Sequence, residues 1–136
     1  MRMRNKGFTL LELIIVVIVI GILASIALPK YIRTAEKGRV SEAKALLGAI
    51  RDAQTRYGAQ YNYFTTNIDM LDVSTQTKYF TYTAAPAVVD ALTETAVVGV
   101  ATRTTFEKSP TYGIYTINIT SGGKIGINNA TLEYLL

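Results

Sequence analysis

Glu12 is the residue whose position most needs a chemical reason. It stands inside an apolar run, residues 10–28, in which only Glu12 and Ser25 are polar. A carboxylate in such a segment costs about 2.5–3.5 kcal/mol on membrane-insertion scales, so it is normally paired and functional. Lys30, the first basic residue beyond the run, lies about 27 Å away along a helix and cannot serve Glu12 within one chain. The other chemical possibility lies upstream, in Lys6-Gly7-Phe8-Thr9. A cut between Gly7 and Phe8 would give Phe8 a free, positively charged amine. Glu12 sits one helical turn further on, within reach of that amine on its own chain or a neighbour. The competing reading is an unpaired carboxylate snorkelling at the membrane surface.

The element that positions these groups is the run itself. As a helix it is about 28 Å long, close to the ~30 Å hydrocarbon core of a bilayer. Its length argues against a buried helix of a soluble protein. A secretory signal peptide is the other rival, with residues 24–27 (Ala-Ser-Ile-Ala) imitating a cleavage site, but the run exceeds a typical signal core. Arg2, Arg4 and Lys6 precede the run, whereas Lys30, Arg33, Lys37 and Arg39 follow it. Charge bias therefore leaves orientation open, and the short leader is expected to stay cytoplasmic.

These residues resemble the type IV pilin family, which includes the pseudopilins of type II secretion. Lys6-Gly7-Phe8-Thr9-Leu10-Leu11-Glu12-Leu13, then Gly21-Ile22-Leu23-Ala24 and Pro29, carry the likeness over about the first quarter of the chain. The resemblance implies cleavage between Gly7 and Phe8 by a membrane prepilin peptidase, which also methylates the Phe8 amine. It implies that Glu12 pairs with the Phe8 amine of an adjacent subunit as a homo-oligomeric helical filament grows. An inner-membrane assembly platform, minor pilins and membrane lipid are the implied partners. The implied cycle is a single-pass inner-membrane precursor and then a surface filament for adhesion, twitching motility or DNA uptake. The alternative is a periplasmic pseudopilus of a type II secretion system that drives protein export. The family's helix can lose structure in the filament between the positions of Gly21 and Pro29, and the same is expected here.

Composition narrows the function classes. Without residues 1–7 the chain has eleven basic and ten acidic residues, a formal balance of +1, which does not indicate nucleic acid as a partner. There is no cysteine, so the disulfide common in the C-terminal region of such pilins is excluded. With no histidine either, the usual general base and the commonest metal ligand are missing. No catalytic cluster is recognisable and no cofactor is expected, so the chain does not read as an enzyme.

Beyond Pro29 the apolar positions Ile32, Ala35, Val40, Ala43, Leu46, Leu47, Ile50, Ala53 and Tyr57 recur at helical spacing. The spacing predicts one helix over residues 8–57, with Gly58 as its stop. Four domains of the reading follow: leader 1–7, transmembrane or filament-core half-helix 8–29, amphipathic half-helix 30–57, and head 58–136. The head begins with a polar connection over 58–76, in which Asn67 caps a short helical turn. Strands are expected at 78–83, 96–102, 112–119 and 124–128, with a variable stretch at 84–95. Ser121-Gly122-Gly123 marks a hairpin, and residues 130–136 form a tail over the sheet edge. The fold class is α+β: a long N-terminal helix packed on a small antiparallel sheet of about four strands.

Other candidate sites carry less. Asp69 and Asp72 lack EF-hand spacing and read as a solvated loop. Asn118-Ile-Thr120 and Asn129-Ala-Thr131 match the N-glycosylation triplet, a pattern common by chance. Tyr79, Phe80, Tyr82, Tyr112 and Tyr115 are expected to pack on strands.

Overall fold

Helix α1 runs over Leu10–Tyr61, shifted toward the C-terminus relative to the expected 8–57. The computed structural model describes residues 7–85, 95–104 and 112–136, which divide into two compact units, Met1–Glu36 and Lys37–Leu136. In the first unit α1 starts after Thr9, whose side chain caps the helix. Pro29 sits inside the helix, and Ser25 and Thr34 donate their hydroxyls to the carbonyls of Ile22 and Lys30. Those bonds satisfy the hydroxyls within the helix.

In the second unit α1 passes through Gly58, which is buried, and ends at Tyr61. The stop is Asn62. It adopts φ 63°, and its N–H donates to Gly58 O at 2.8 Å. This is the single-bond left-handed cap, for which asparagine is the usual substitute for glycine. Gly58 therefore serves as an acceptor within the last turn and not as the terminator.

The helical stripe of this unit is the core side of the helix: Val40, Ala43, Leu47, Ile50 and Ala53 are buried, whereas Ser41, Glu42, Asp52, Thr55 and Arg56 are exposed. After a 3-10 turn at Ile68–Met70, capped by Asn67 as expected, four strands follow. They are β1 (Phe80–Ala84), β2 (Val97–Arg103), β3 (Thr116–Thr120) and β4 (Ile125–Ile127). They form an antiparallel meander in the order β1-β2-β3-β4. Cross-strand register joins Tyr82, Ala101, Ile117 and Ile127 in one row. Phe80, Tyr82, Val98, Ala101, Ile117 and Ile119 are buried on the sheet. The register shifts between Val97 and Gly99. A Cβ on Gly99 would stand 3.0 Å from Ile50 Cγ2 and 3.3 Å from Leu47 Cδ2, so the bare glycine backbone is what allows close approach of helix and sheet.

All four strands start later than the sequence pattern suggests, β2 and β4 by one residue and β1 and β3 by two and four. Strand β1 begins at Phe80, where Thr77 Oγ1 donates to Phe80 O at 2.9 Å. Strand β3 begins at Thr116, because Gly113 takes φ 58° and turns the chain. Ile114 is consequently 65% exposed while Ile117 and Ile119 are buried, which explains why the three isoleucines are out of phase. The hairpin at residues 121–123 forms with Gly123 at φ 87°, and Arg51 Nε donates to Ser121 O across it at 2.8 Å. A last 3-10 turn, Ala130–Leu135, buries Leu132 and Leu135 and packs against β4, the outer strand. Most of the stretch expected at 84–95, and residues 1–6 of the leader, lie outside the described residues.

Candidate functional site

Gly7, Phe8, Thr9 and Glu12 form the candidate site, at the start of α1. Gly7 and Phe8 precede the helix and are exposed, Phe8 to 89%. Thr9 is the N-cap and Glu12 the third helical residue. Thr9 N and Thr9 Oγ1 both donate to Glu12 Oε2 at 2.9 Å. Glu12 N donates in turn to Thr9 Oγ1 at 3.2 Å. This reciprocal arrangement is a capping box, which satisfies two main-chain donors that a helix start otherwise leaves open. The Thr-x-x-Glu spacing ahead of an apolar run is its sequence signature. The reading of Glu12 as a membrane acid passed over that signal.

The carboxylate thus has a local partner in the uncut chain. The nitrogen of Phe8 is a peptide nitrogen here, so the amine expected to meet Glu12 exists only after a cut. What the structure brings together is Thr9 and Glu12. Among the described residues, every hydrogen bond to the Glu12 side chain falls on Oε2. A carboxylate retains acceptor capacity on its second oxygen.

Among the described residues one helix is long and apolar enough to cross a membrane, and it begins at this site. An 18-residue window has mean hydropathy 3.0, and none of it is buried in the chain. A core helix of a soluble protein buries such a face; this one leaves it open all round. A Cβ on Gly21 would meet nothing within 4 Å.

The remaining sequence candidates take ordinary places. Asp69 and Asp72 are exposed, and among the described residues no group of three or more histidine, cysteine or acidic side chains is placed to hold a metal. Asn118 lies on β3 against Gly126, and Asn129 Oδ1 accepts Thr131 N at 3.0 Å as the cap of the last turn. Of the rings expected on strands only Phe80 and Tyr82 lie on one, since β1 starts after Tyr79 and β3 after Tyr115; Phe80, Tyr82, Tyr112 and Tyr115 are nevertheless buried, and the Phe80 and Tyr115 rings meet edge to face at 6.0 Å. Tyr79 is half-buried, with Arg39 Cζ 4.4 Å from its ring centre.

Comparison with known proteins gives two family matches. Residues 2–28 match the prokaryotic N-terminal methylation motif, and residues 40–131 match the family described as type IV pilin-like G and H. The chain is 52% identical over 54 residues to the type IV major pilin protein PilA of Myxococcus xanthus, covering 40% of this chain and 24% of that protein. It is 38% identical over 73 residues to a fimbrial protein of Neisseria meningitidis serogroup A, covering 54% and 43%. It is 43% identical over 51 residues to the type IV narrow pilus major component PilA5 of Thermus thermophilus, covering 38% and 44%. The matches thus span less than half the length of each of these relatives. No solved structure matches the chain.

Proposed function

The chain belongs to the type IV pilin-like family, and on that premise we propose that it is the structural subunit of a type IV pilus-like filament. A prepilin peptidase cuts between Gly7 and Phe8 and methylates the new amine. The precursor waits in the inner membrane with residues 8–29 in the bilayer, residues 30–57 as an amphipathic half-helix, and the rest of the chain as the head. An assembly platform with minor pilins then draws subunits into a surface filament for adhesion, motility or DNA uptake. Residues 8–29 become its core, and the helix loosens between Gly21 and Pro29.

The observation that carries this reading is the combination of an exposed Gly7-Phe8 bond, a carboxylate one turn further on, and an apolar helix with no cover of its own. The capping box adds a physical reason for the position of Glu12. A negative group in the first turn is favoured by the positive end of the helix dipole, and Thr9 fixes its orientation before any second subunit arrives. The incoming Phe8 amine then meets an acid that is already ordered, which reduces the entropy lost on pairing.

Replacing Glu12 tests the role. Glu12→Ala is expected to insert into the membrane and be processed normally, yet yield no sheared filaments. The native protein in the sheared fraction should begin at N-methylated Phe8 by mass spectrometry. Normal amounts of filament from Glu12→Ala would refute the pairing. A native chain that is cut but confined to membranes would point instead to a secretion pseudopilin.

A further inference from the structure

Sulfur is scarce in this chain. It has no cysteine, and of its three methionines Met1 and Met3 precede Gly7, so Met70 is the only sulfur in residues 8–136. Met70 ends the first 3-10 turn and is 59% exposed. Its Sδ accepts hydrogen bonds from two hydroxyls, Tyr57 Oη and Thr65 Oγ1, each at 3.6 Å. Tyr57 Oη lies 3.2 Å from Tyr63 Oη, and the rings of Tyr57, Tyr61 and Tyr63 cluster with centres 4.5 to 6.4 Å apart. Beside the sulfur opens a cavity of about 150 Å³ lined by Met70, Tyr57, Leu71, Arg56, Gln60 and Asp72. A water molecule occupies about 30 Å³ in the liquid, so a peroxide molecule enters without displacing protein.

We propose that Met70 is a site of reversible oxidation by small two-electron oxidants of the peroxide class, and that the fold is built to retain the product. A lone pair on Sδ attacks one peroxide oxygen and the O–O bond breaks. The proton on the transferred oxygen passes to the departing hydroxide and water leaves. Sulfur loses two electrons, peroxide gains them, and the residue becomes methionine sulfoxide, which sulfoxide reductases can return to the thioether.

Oxidation of a methionine usually disrupts a core by placing a polar group in it. Met70 is different on two counts. Its side chain is largely in solvent, and the hydroxyls of Tyr57 and Thr65 stand within donating distance of the sulfur, each with a competing oxygen acceptor, Tyr63 Oη at 3.2 Å and Asn67 O at 3.5 Å. A thioether is a weak acceptor, whereas a sulfoxide oxygen is a strong one. The new oxygen therefore draws these two protons from their competing acceptors into stronger bonds, tying the 3-10 turn more firmly to the end of α1. Thr65 stays anchored independently, because its N–H and C=O both bond the side chain of Gln54.

The test uses the full chain in detergent and hydrogen peroxide as the probe. Peptide mass spectrometry should find one added oxygen on Met70, formed at a rate within about threefold of that in the guanidinium-unfolded chain, as thioether exposure dictates. The sulfoxide S=O stretch in the infrared should fall below its value in the unfolded oxidised chain and return toward it in Tyr57→Phe and in Thr65→Val. The oxidised native chain should keep or raise its denaturation midpoint. Protection of Met70 by tenfold or more relative to the unfolded chain would overturn the proposal. So would an S=O stretch unchanged by folding, or a midpoint that falls equally in the native chain and in both variants.

Discussion

Replacing Gln54 with leucine isolates the buried polar link that ties the helix to the rest of the head. Gln54 is fully buried. Its Nε2 donates to Thr65 O at 2.7 Å and lies 3.4 Å from Val98 O, while its Oε1 accepts Thr65 N at 3.0 Å. Leucine has similar volume, so the cavity cost is small, but it leaves the main-chain N–H and C=O of buried Thr65 without partners. Val98 O keeps its bond from Ala85 N. Each orphaned group costs about 1–3 kcal/mol. The apolar gain of burying leucine offsets about 2 kcal/mol of that sum, which leaves a net loss of about 2 kcal/mol at mid-range. For a unit of this size that lowers the midpoint of thermal unfolding by about 10 °C or more. Near-ultraviolet circular dichroism of the tyrosines in the full chain, in detergent, reads it directly. Thr55→Ala, on the exposed face next to it, serves as the comparison. A Gln54→Leu midpoint indistinguishable from that of Thr55→Ala would refute the argument that Thr65 depends on Gln54.

Gly99→Ala is expected to destabilise by about 1–3 kcal/mol through overpacking, and adding Ile50→Leu, which lacks the Cγ2 methyl of the 3.0 Å contact, should recover part of the loss; additive losses in denaturant titration would contradict this. Tyr82→Phe should raise stability by about 1 kcal/mol, because its buried hydroxyl has no hydrogen-bond partner among the described residues. Burial pushes the Tyr82 phenol above the ordinary tyrosine value of 10.0, and the hydrogen bond with Tyr63 does the same to Tyr57. Raised folded values mean that the unfolded chain loses these protons first. Stability should therefore be level below pH 10 and fall as pH rises beyond it, more gently in Tyr82→Phe; an unchanged alkaline slope in that variant would contradict the assignment.

Much of this architecture is readable in the sequence, and the exceptions have physical causes. The helix, the meander and the hairpin glycines follow from period and turn chemistry, which are local. The end of α1 is not local in that sense. A glycine at 58 looks like a stop, but its burial and the tolerance of Asn62 for the left-handed region move the stop four residues on. The capping box was legible in Thr9 and Glu12 and was masked by the more conspicuous fact of an acid in an apolar run. Gln54 and Arg103 could not be foreseen as buried. Their partners are non-local: Thr65 and Val98 reach Gln54 when the loop after α1 and strand β2 fold onto the helix, and Tyr79 O reaches Arg103 when β1 pairs with β2.

The Arg51 contact with the β3–β4 turn has a mechanical meaning. That turn is held to the helix by a hydrogen bond to Ser121 O, with the guanidinium lying 3.5 Å from where a Cβ on Gly123 would stand, and by no covalent link, since the chain has no cysteine. If the turn parts from the helix under tension, only this noncovalent contact has to form again, while Ser121 N stays bonded to Ala96 O. The closure of this turn on the helix accordingly needs no thiol–disulfide chemistry.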